Sequence, residues 1–432
     1  MSTPAHSGIA GRGLSDWLGY IETVHRRSID MGLDRVRMVL ERLVAPWPRF
    51  AVISVGGTNG KGSTTAMLDA ILRESNYSVG RYTSPHLVHY RERICINGDP
   101  VSETELCAAF AEIERMRGDI PLTYFEFSTL AALLLFRERG IDIAVLEVGM
   151  GGRLDAVNVM DADVALITNV AIDHVKWLGA SRERIAVEKA GIMRPARPVV
   201  CVDPLPPHSV LRLAAEVNAL LFLLNRDFGF ANHGDSWDWW GPGRRLELLP
   251  QPNIVGDIQV QNAAGVIMAI DQLQPRCPIP EGAIARGLRS VVIHGRFQVL
   301  AGVPEVVLDV AHNAAAAQVL AENLDAHRCV GRTLAVFGVM RDKDIEAIVA
   351  KLAARVDRWF VGSIDDQRGA NAGEVGRRVC EVLKTLHVAE QVSEHGSVRR
   401  AFDAARAAAS DQDRILVFGS FHTVGDILGT LK

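Results

Sequence analysis

The sequence predicts an α/β protein: a P-loop ATPase domain with a small antiparallel β excursion, followed by a Rossmann-like α/β domain. Residues 50–64, FAVISVGGTNGKGST, pass from strand formers through glycines into a helical run, the layout of a phosphate cradle. Short apolar runs such as 141–148, IDIAVLEV, alternate with helical patterns on both sides of residue 296, as a parallel sheet requires. Residues 225–251 differ, with Trp237, Trp239 and Trp240 among Gly, Asp and Asn, which fits a short antiparallel sheet.

Bulk properties narrow the function classes. A chain of 432 residues is long enough for two cores, and the division is expected at 1–296 and 297–432. Hydrophobic and charged contents of 48% and 23% belong to a globular, water-exposed protein. A net charge of −4 argues against a broad nucleic-acid surface. The sequence has no apolar run long enough to span a bilayer, and MSTPAHSGIAGRGLSDW lacks a signal-peptide core. Cys95, Cys107, Cys201, Cys277, Cys329 and Cys380 form no C-x-x-C pair. They read as reduced, mostly buried thiols of a cytoplasmic protein. No interface signal is visible, so a monomer is expected.

Taken in order, residues 1–13 should fray. Ser15 can cap a helix carrying Trp17, Leu18, Ile21 and Val24, and a second helix starts near Asp34. The segment between them reads as a connection. In the glycine loop, Lys61 can reach phosphate oxygens and Ser63 or Thr64 can hold Mg²⁺. The usual spacing would put Gly at 55 and Ser or Thr at 62, but the chain has Val55 and Gly62. The loop is therefore a variant, and a glycine turn without ligand is the alternative. The amphipathic run 66–72 follows as a helix.

A strand at 79–82 ends in Thr83-Ser84-Pro85-His86-Leu87, the end where open parallel sheets bind ligands. Residues 88–94 are charged and irregular, either a lid or a solvated loop. Helices fit 103–117 and 126–139, the latter stopped by Gly140. The strand 141–148 carries Glu147, whose burial among apolar residues needs a cation or donor. That marks it as a metal or ligand contact. A strand at 163–169 leads to Asp173-His174, where a satisfied structural histidine and a ligand are both open readings. A helix at 181–190 carries Lys189, which reads as a surface lysine, with Gly191 as its stop. A strand at 199–202 follows. The tryptophans read as a small local core, and 258–273 as a helix with Asn262 in its first turns. Beyond 297, strands are expected at 305–310, 333–339, 358–361 and 414–419, with no second glycine-rich loop.

Gly57-Thr58-Asn59-Gly60-Lys61-Gly62-Ser63 resembles the ATP loop of Mur-ligase-type amide synthetases, which departs from the standard P-loop in the same way. Tyr82–Leu87, Leu146–Asp155, Asp173-His174 with Trp177-Leu178-Gly179, and Glu188–Ile192 are similar to folylpolyglutamate synthases. So are His294–Phe297, Asp309–Asn313 and Asp342-Lys343-Asp344. Ser28–Leu33 and Leu122–Phe127 look like the dihydropteroate segments of bacterial members that are also dihydrofolate synthases.

The resemblance implies a Mur-ligase-type P-loop domain and a bifunctional ligase. One reaction joins L-glutamate to 7,8-dihydropteroate, and the other adds γ-linked glutamates to tetrahydrofolates. By residue-by-residue carry-over, Thr58, Asn59, Gly60, Lys61, Gly62, Ser63, Asn262, Arg296 and Asp309 would contact ATP. Ser84, Glu147 and His174 would hold Mg²⁺. Lys189, carbamylated, would hold a second Mg²⁺, and a monovalent cation is a further candidate. Lys61, Lys189, His174 and Arg296 would carry the catalysis. Ile29, Asp30, Met31, Thr123, Tyr124, Phe125, Glu126, Leu154 and Asp155 would meet dihydropteroate. The chain departs from close relatives at Lys176, where Asp is frequent, and at Ala314, where Pro is common.

The rivals are a monofunctional folylpolyglutamate synthase, a Mur-type cell-wall ligase and a non-catalytic nucleotide switch. Residues 28–33 and 122–127 argue against the first. The lack of an N-terminal UDP-binding domain before the ATP loop argues against the second. The set Lys61, Glu147 and His174 argues against the third.

Overall fold

The computed structural model describes residues 11–27, 29–44, 50–274, 276–389 and 391–431. Ser28, and the part of the expected fraying that falls on residues 1–10, lie outside the described residues. An eight-stranded sheet runs in the spatial order Asp99–Pro100, Ile94–Ile96, Val79–Tyr82, Ile143–Glu147, Ala51–Gly56, Val164–Ile167, Pro198–Cys201, Leu220–Leu223. From Val79–Tyr82 onward every pairing is parallel. Every residue of Ala51–Gly56, Ile143–Glu147 and Val164–Ile167 is buried, so these strands read as unbroken apolar runs. Ala51–Gly56 is central. The chain leaves it toward Val79–Tyr82 on one side and later returns to Val164–Ile167 on the other, which opens a crevice at its C-terminal end.

The helix after the glycine loop, Lys61–Glu74, is buried continuously from Ser63 to Leu72. Its expected amphipathic face is thus overtaken by tertiary packing. Helix Glu281–Ser290 lies so close that a Cβ on Gly287 would sit 2.6 Å from Ile71 Cα. Helix Ile258–Leu273, with the expected bounds, shares the core that the loop helix faces.

Several expectations need correction. Helix Leu14–Val24 starts from Gly13 rather than Ser15. Residues 88–94 form neither a lid nor a solvated loop. The chain makes a 3₁₀ turn, Tyr90–Arg93, then the antiparallel edge strands Ile94–Ile96 and Asp99–Pro100. The charges misled because they work inward: Glu92 accepts from the backbone N–H groups of Leu87 and His89, and Arg93 is buried. The antiparallel sheet of Gly229–Asn232, Ser236–Gly241 and Arg244–Pro250 is present. Its tryptophans do not make a separate core, however. Trp237 and Trp239 join the main core, and Trp239 Nε1 donates to Ala264 O at 3.1 Å. Trp240 is partly exposed. Helix His208–Glu216 and strand Leu220–Leu223 had no counterpart in the sequence reading.

A six-stranded sheet follows, in the order Gln298–Leu300, Glu305–Asp309, Arg414–Phe418, Thr333–Phe337, Arg358–Gly362, Val392–His395. All pairings are parallel except the first. The two strands not foreseen, Gln298–Leu300 and Val392–His395, are the short edge strands, only partly buried. Helix Ala314–Ala326 starts at Asn313, whose side chain accepts from Ala316 N, so Ala314 starts the helix as well as Pro would. Cys95, Cys201 and Cys277 are buried thiols outside any disulfide. No helix among the described residues is long and apolar enough to cross a membrane.

Candidate active site

The glycine loop is fixed by the strand end beside it. Thr58 N donates to Asn169 O and Asn59 N to Asn169 Oδ1, each at 2.9 Å. Thr168 Oγ1 donates to Asn59 O at 2.6 Å. Gly57 has φ 141°, and a Cβ there would lie 1.8 Å from Thr168 Oγ1, so only glycine fits. Gly60, at φ 84°, opens the helix. Lys61 Nζ folds back onto Gly57 O and Thr58 O, both at 3.1 Å.

Lys189 is the largest departure from the sequence reading. It is 3% exposed, not on the surface, and its Nζ donates to Gly57 O at 2.7 Å. Two lysines therefore converge on one carbonyl of the loop. Burial, then the Lys61 charge, brings the Lys189 amine down to about 7. Burial lowers Lys61 as well, against the pull of Glu147 and Asp173. Close packing sets this depth. Arg153 N donates to Glu188 O at 2.8 Å. A Cβ on Gly152 would sit 2.6 Å from Glu188 O, and one on Gly191 2.3 Å from Arg153 Cβ. The loop after Glu147 thus grips the last turn of helix Arg182–Ala190.

A cleft of about 340 Å³ lies between the two large sheets. Thr58, Asn59, Gly60, Lys61, Gly62, Ser63, Ser84, Glu147, His174, Lys189, Asn262, Arg296 and Asp309 all line it. Burial pushes the Glu147 carboxyl up, opposed by Lys61 and Arg296. Burial brings the His174 imidazole down to about 4 despite Asp173 beside it, leaving it neutral at neutral pH. Across the cleft, burial lowers Arg296 and raises Asp309, and each opposes the other's shift. Asp309 is held in place by the N–H groups of Phe297 and Ala311, at 2.8 and 2.7 Å. Asn262 Oδ1 would be 3.0 Å from a Cβ on Gly60, so the second turn of helix Ile258–Leu273 abuts the loop.

The sides of the cleft are stitched together by groups whose pairing the sequence did not reveal. Lys343 Nζ lies 2.6 Å from Asp173 Oδ1, both buried. Asn313 Nδ2 donates to Asp173 Oδ2 at 3.1 Å and to Asn59 Oδ1 at 2.9 Å, and Asn59 Nδ2 returns a bond to Asn313 Oδ1 at 3.2 Å. Burial alone would raise Asp173, but the His312 hydrogen bond and the Lys343 charge outweigh it and hold the carboxyl well below the usual range. Asp173 Oδ1 also accepts from His174 N at 2.7 Å, and His174 sits at φ 49°.

The expected dihydropteroate residues do not line this cleft. Met31, Phe125 and Asp155 gather behind it, at the loop after Glu147. Phe125 Cζ is 2.7 Å from the position of a Cβ on Gly149, and Met31 Cε is 3.7 Å from that of Gly151. Asp155 Oδ2 accepts from Met150 N at 2.9 Å, and burial pushes its carboxyl up to about 6. Leu154 is half-buried on the same loop, while Ile29 and Tyr124 are half-buried on their own segments. Two carboxylates of the set are already engaged. Asp30 pairs with Arg35 at 2.7 Å. Glu126 accepts from Thr123 N at 2.7 Å and pairs with Arg35 at 3.2 Å.

The donor set suits a hard cation. A buried carboxylate, a hydroxyl and a neutral imidazole, those of Glu147, Ser84 and His174, line the same cleft. Among the described residues no three His, Cys, Asp or Glu side chains converge as a closed metal cage. An ion there must complete its shell from water and phosphate oxygens, which is the habit of Mg²⁺.

Known proteins match this architecture. Residues 55–203 match the family model of the Mur ligase middle domain, and residues 295–421 that of the Mur ligase glutamate ligase domain. A dihydrofolate synthase/folylpolyglutamate synthase of Escherichia coli is 41% identical, covering 97% of this chain and 96% of its own. The structure of E. coli FolC with DHPP and ADP superposes with TM-score 0.91 at 40% identity, covering 98% of both chains. A bifunctional folylpolyglutamate synthase/dihydrofolate synthase with Mn, AMPPNP and L-glutamate bound gives TM-score 0.88 at 41% identity over 98% of both. With its glycine loop, converging lysine pair and strand-end carboxylate on such a scaffold, the chain belongs to the dihydrofolate synthase/folylpolyglutamate synthase family of Mur ligases.

Proposed function

We propose that the protein is an ATP-dependent amide ligase of folate synthesis. It joins L-glutamate to 7,8-dihydropteroate and adds γ-linked glutamates to tetrahydrofolates. The observation that carries this reading is the convergence of Lys61, Lys189 and Glu147 on one side of a cleft with Arg296 and Asp309 on the other. Relatives of the same architecture hold ADP, an ATP analogue, Mn and L-glutamate. We divide the chain after residue 296, so that Lys61, Lys189 and Glu147 belong to the first domain and Asp309 to the second, with Arg296 the last residue of the first domain reaching the far wall.

The chemistry follows from the leaving group. A carboxylate cannot expel oxide, so the acceptor carboxylate first attacks the γ-phosphorus of ATP. The bond to the β–γ bridging oxygen breaks, giving an acyl phosphate and ADP. The glutamate amine then adds to the acyl carbon, phosphate departs, and the amine proton is lost to solvent. Phosphoryl transfer asks mainly for positioning and spread positive charge. The N–H groups of Gly60 and Lys61 and the Lys61 ammonium supply it from one wall, and Arg296 supplies it from the opposite wall. Asp309 balances the Arg296 charge and contacts the nucleotide, with Asn262 beside the loop.

Ser84, Glu147 and His174 would hold Mg²⁺, which supplies charge neutralisation at the phosphates when bound. Lys189, in its neutral form, is placed to add CO₂, giving a carbamate and releasing a proton. The carbamate oxygens then replace an ammonium that no cation could accept as ligand. Ile29–Met31, Thr123–Glu126 and Leu154-Asp155 form the dihydropteroate side. The buried thiols fit a cytoplasmic setting, and we take the working form to be a monomer.

The test is ADP and phosphate release with ATP, Mg²⁺ and L-glutamate, run with dihydropteroate and then with tetrahydrofolate. One phosphate per amide is expected with each acceptor. Release with only one acceptor would leave a monofunctional enzyme, and release without amide would leave an ATPase.

A further inference from the structure

Arg93 stands apart from the groups used above. It closes the turn Tyr90–Arg93 and is 8% exposed. Its Nε donates to His86 Nδ1 at 2.9 Å. Its guanidinium carbon lies 5.4 Å from the Tyr90 ring centre and 5.5 Å from that of Tyr124. Among the described residues no carboxylate pairs with it. The adjacent Glu92 turns its oxygens to the N–H groups of Leu87, Val88 and His89.

Among the described residues, the two terminal nitrogens of Arg93 also have no hydrogen-bond acceptor. They are not among the sealed, unpaired polar atoms, whereas Tyr90 Oη and Ser128 Oγ in the same cluster are. The fork is therefore unsatisfied but open. Aromatic faces offset only part of the cost of burying a guanidinium, and a carboxylate is the group its geometry fits best.

Its place in the fold says which carboxylate. Thr83 N donates to Arg93 O at 2.9 Å, so Arg93 lies directly across from the residue before Ser84 at the cleft edge. Tyr124, beneath its guanidinium, precedes Phe125, which abuts Gly149 at the back of the cleft. The cation thus stands between the strand end that leads to Ser84 and the segment expected to meet the pterin acceptor. Dihydropteroate has a single carboxylate, and that one must be activated. A folate acceptor ends in a glutamyl residue whose γ-carboxylate is activated while the α-carboxylate remains an anion beside it.

We infer that Arg93 binds the α-carboxylate of the terminal glutamyl residue of a folate acceptor and presents its γ-carboxylate for phosphorylation. Arg93 is then a specificity residue for the second reaction. The inference rests on the two-reaction reading above.

The test compares Arg93→Gln and Arg93→Lys with the wild type. KM is measured for dihydropteroate, for tetrahydrofolate and for a tetrahydrofolate whose α-carboxylate is a carboxamide. In the wild type the carboxamide should raise KM by about 10–100-fold. In Arg93→Gln, KM for tetrahydrofolate should rise at least tenfold more than KM for dihydropteroate, and the carboxamide should carry no further penalty. Arg93→Lys should recover part of the loss. Equal losses on both acceptors, or a wild type indifferent to the carboxamide, overturns the inference. A rise in KM for L-glutamate with both acceptors would assign Arg93 to the incoming amino acid instead. A wild type indifferent to the carboxamide overturns the inference even if the variants do not fold. Absence of turnover with either natural acceptor would refute the proposed function, a different result from any of these.

Discussion

Asp173 and Lys343, 2.6 Å apart and both buried, tie the six-stranded unit to the residue just before His174. The same carboxylate accepts the His174 N–H. The contact that joins the two sides of the cleft therefore also fixes the backbone of a candidate metal ligand. Lys343→Met leaves Asp173 buried without its cation, and removing one partner of such a pair costs about 3–5 kcal/mol. A lower unfolding midpoint and a higher KM for ATP are expected. Unchanged values for both would show that the pair holds nothing together.

Lys61→Ala should abolish ADP formation with both acceptors. Losing one preorganised charge at a transferring group costs about 2.7–4 kcal/mol, or about 10²–10³ in kcat. Single-turnover ADP formation is the readout, and survival of either activity means the two reactions do not share one ATP site.

Lys189→Ala should fold and lose activity, with a carbamate signal from ¹³CO₂ seen by NMR only in the wild type. The pH dependence has a definite sign. The folded amine titrates at about 7 instead of the usual 10.5, so between those values the unfolded chain binds more protons. Stability in CO₂-free buffer should then rise with pH from about 7 to 10.5, relative to Lys189→Ala. Below about 7 the burial penalty is present in full. A flat difference between the two proteins would mean that the amine is not buried.

Gly191→Ala tests the grip on Lys189 from a distance. The backbone at Gly191 is ordinary, φ −64° and ψ −5°, so any effect is steric. Its Cβ would meet Arg153 at 2.3 Å, and overpacking of this kind costs about 1–3 kcal/mol. A drop in unfolding midpoint together with a weaker carbamate signal is expected. A drop in midpoint alone would mean that the lysine position is set elsewhere.

The sequence was most legible where pattern and structure share a period. Helix Glu103–Arg117 and helix Ile258–Leu273 have the expected bounds. The central strands were visible because both faces are covered. Edge strands such as Ile94–Ile96 were hidden, being short and flanked by charges. Lys189 looked like a surface residue because helical spacing cannot report what docks on the last turn. Only the resemblance pointed to it, and burial is what the fold supplied. Glu147 was readable from first principles, as a carboxylate in an apolar strand. The partnership of Asp173 with Lys343 was not, since residues 170 positions apart carry no local sign of each other.

The reciprocal amides of Asn59 and Asn313 have a bearing on turnover. Like the Asp173–Lys343 pair, they join the glycine loop to the far side of the cleft through polar atoms. Water can replace each of these bonds, whereas Leu87 and Val88, packed against the core of the six-stranded unit, make the apolar part of the same junction. A junction made this way behaves as a zip fastener rather than a weld. Parting it would break these polar contacts and uncover Leu87 and Val88, while the buried strands of both sheets stay paired.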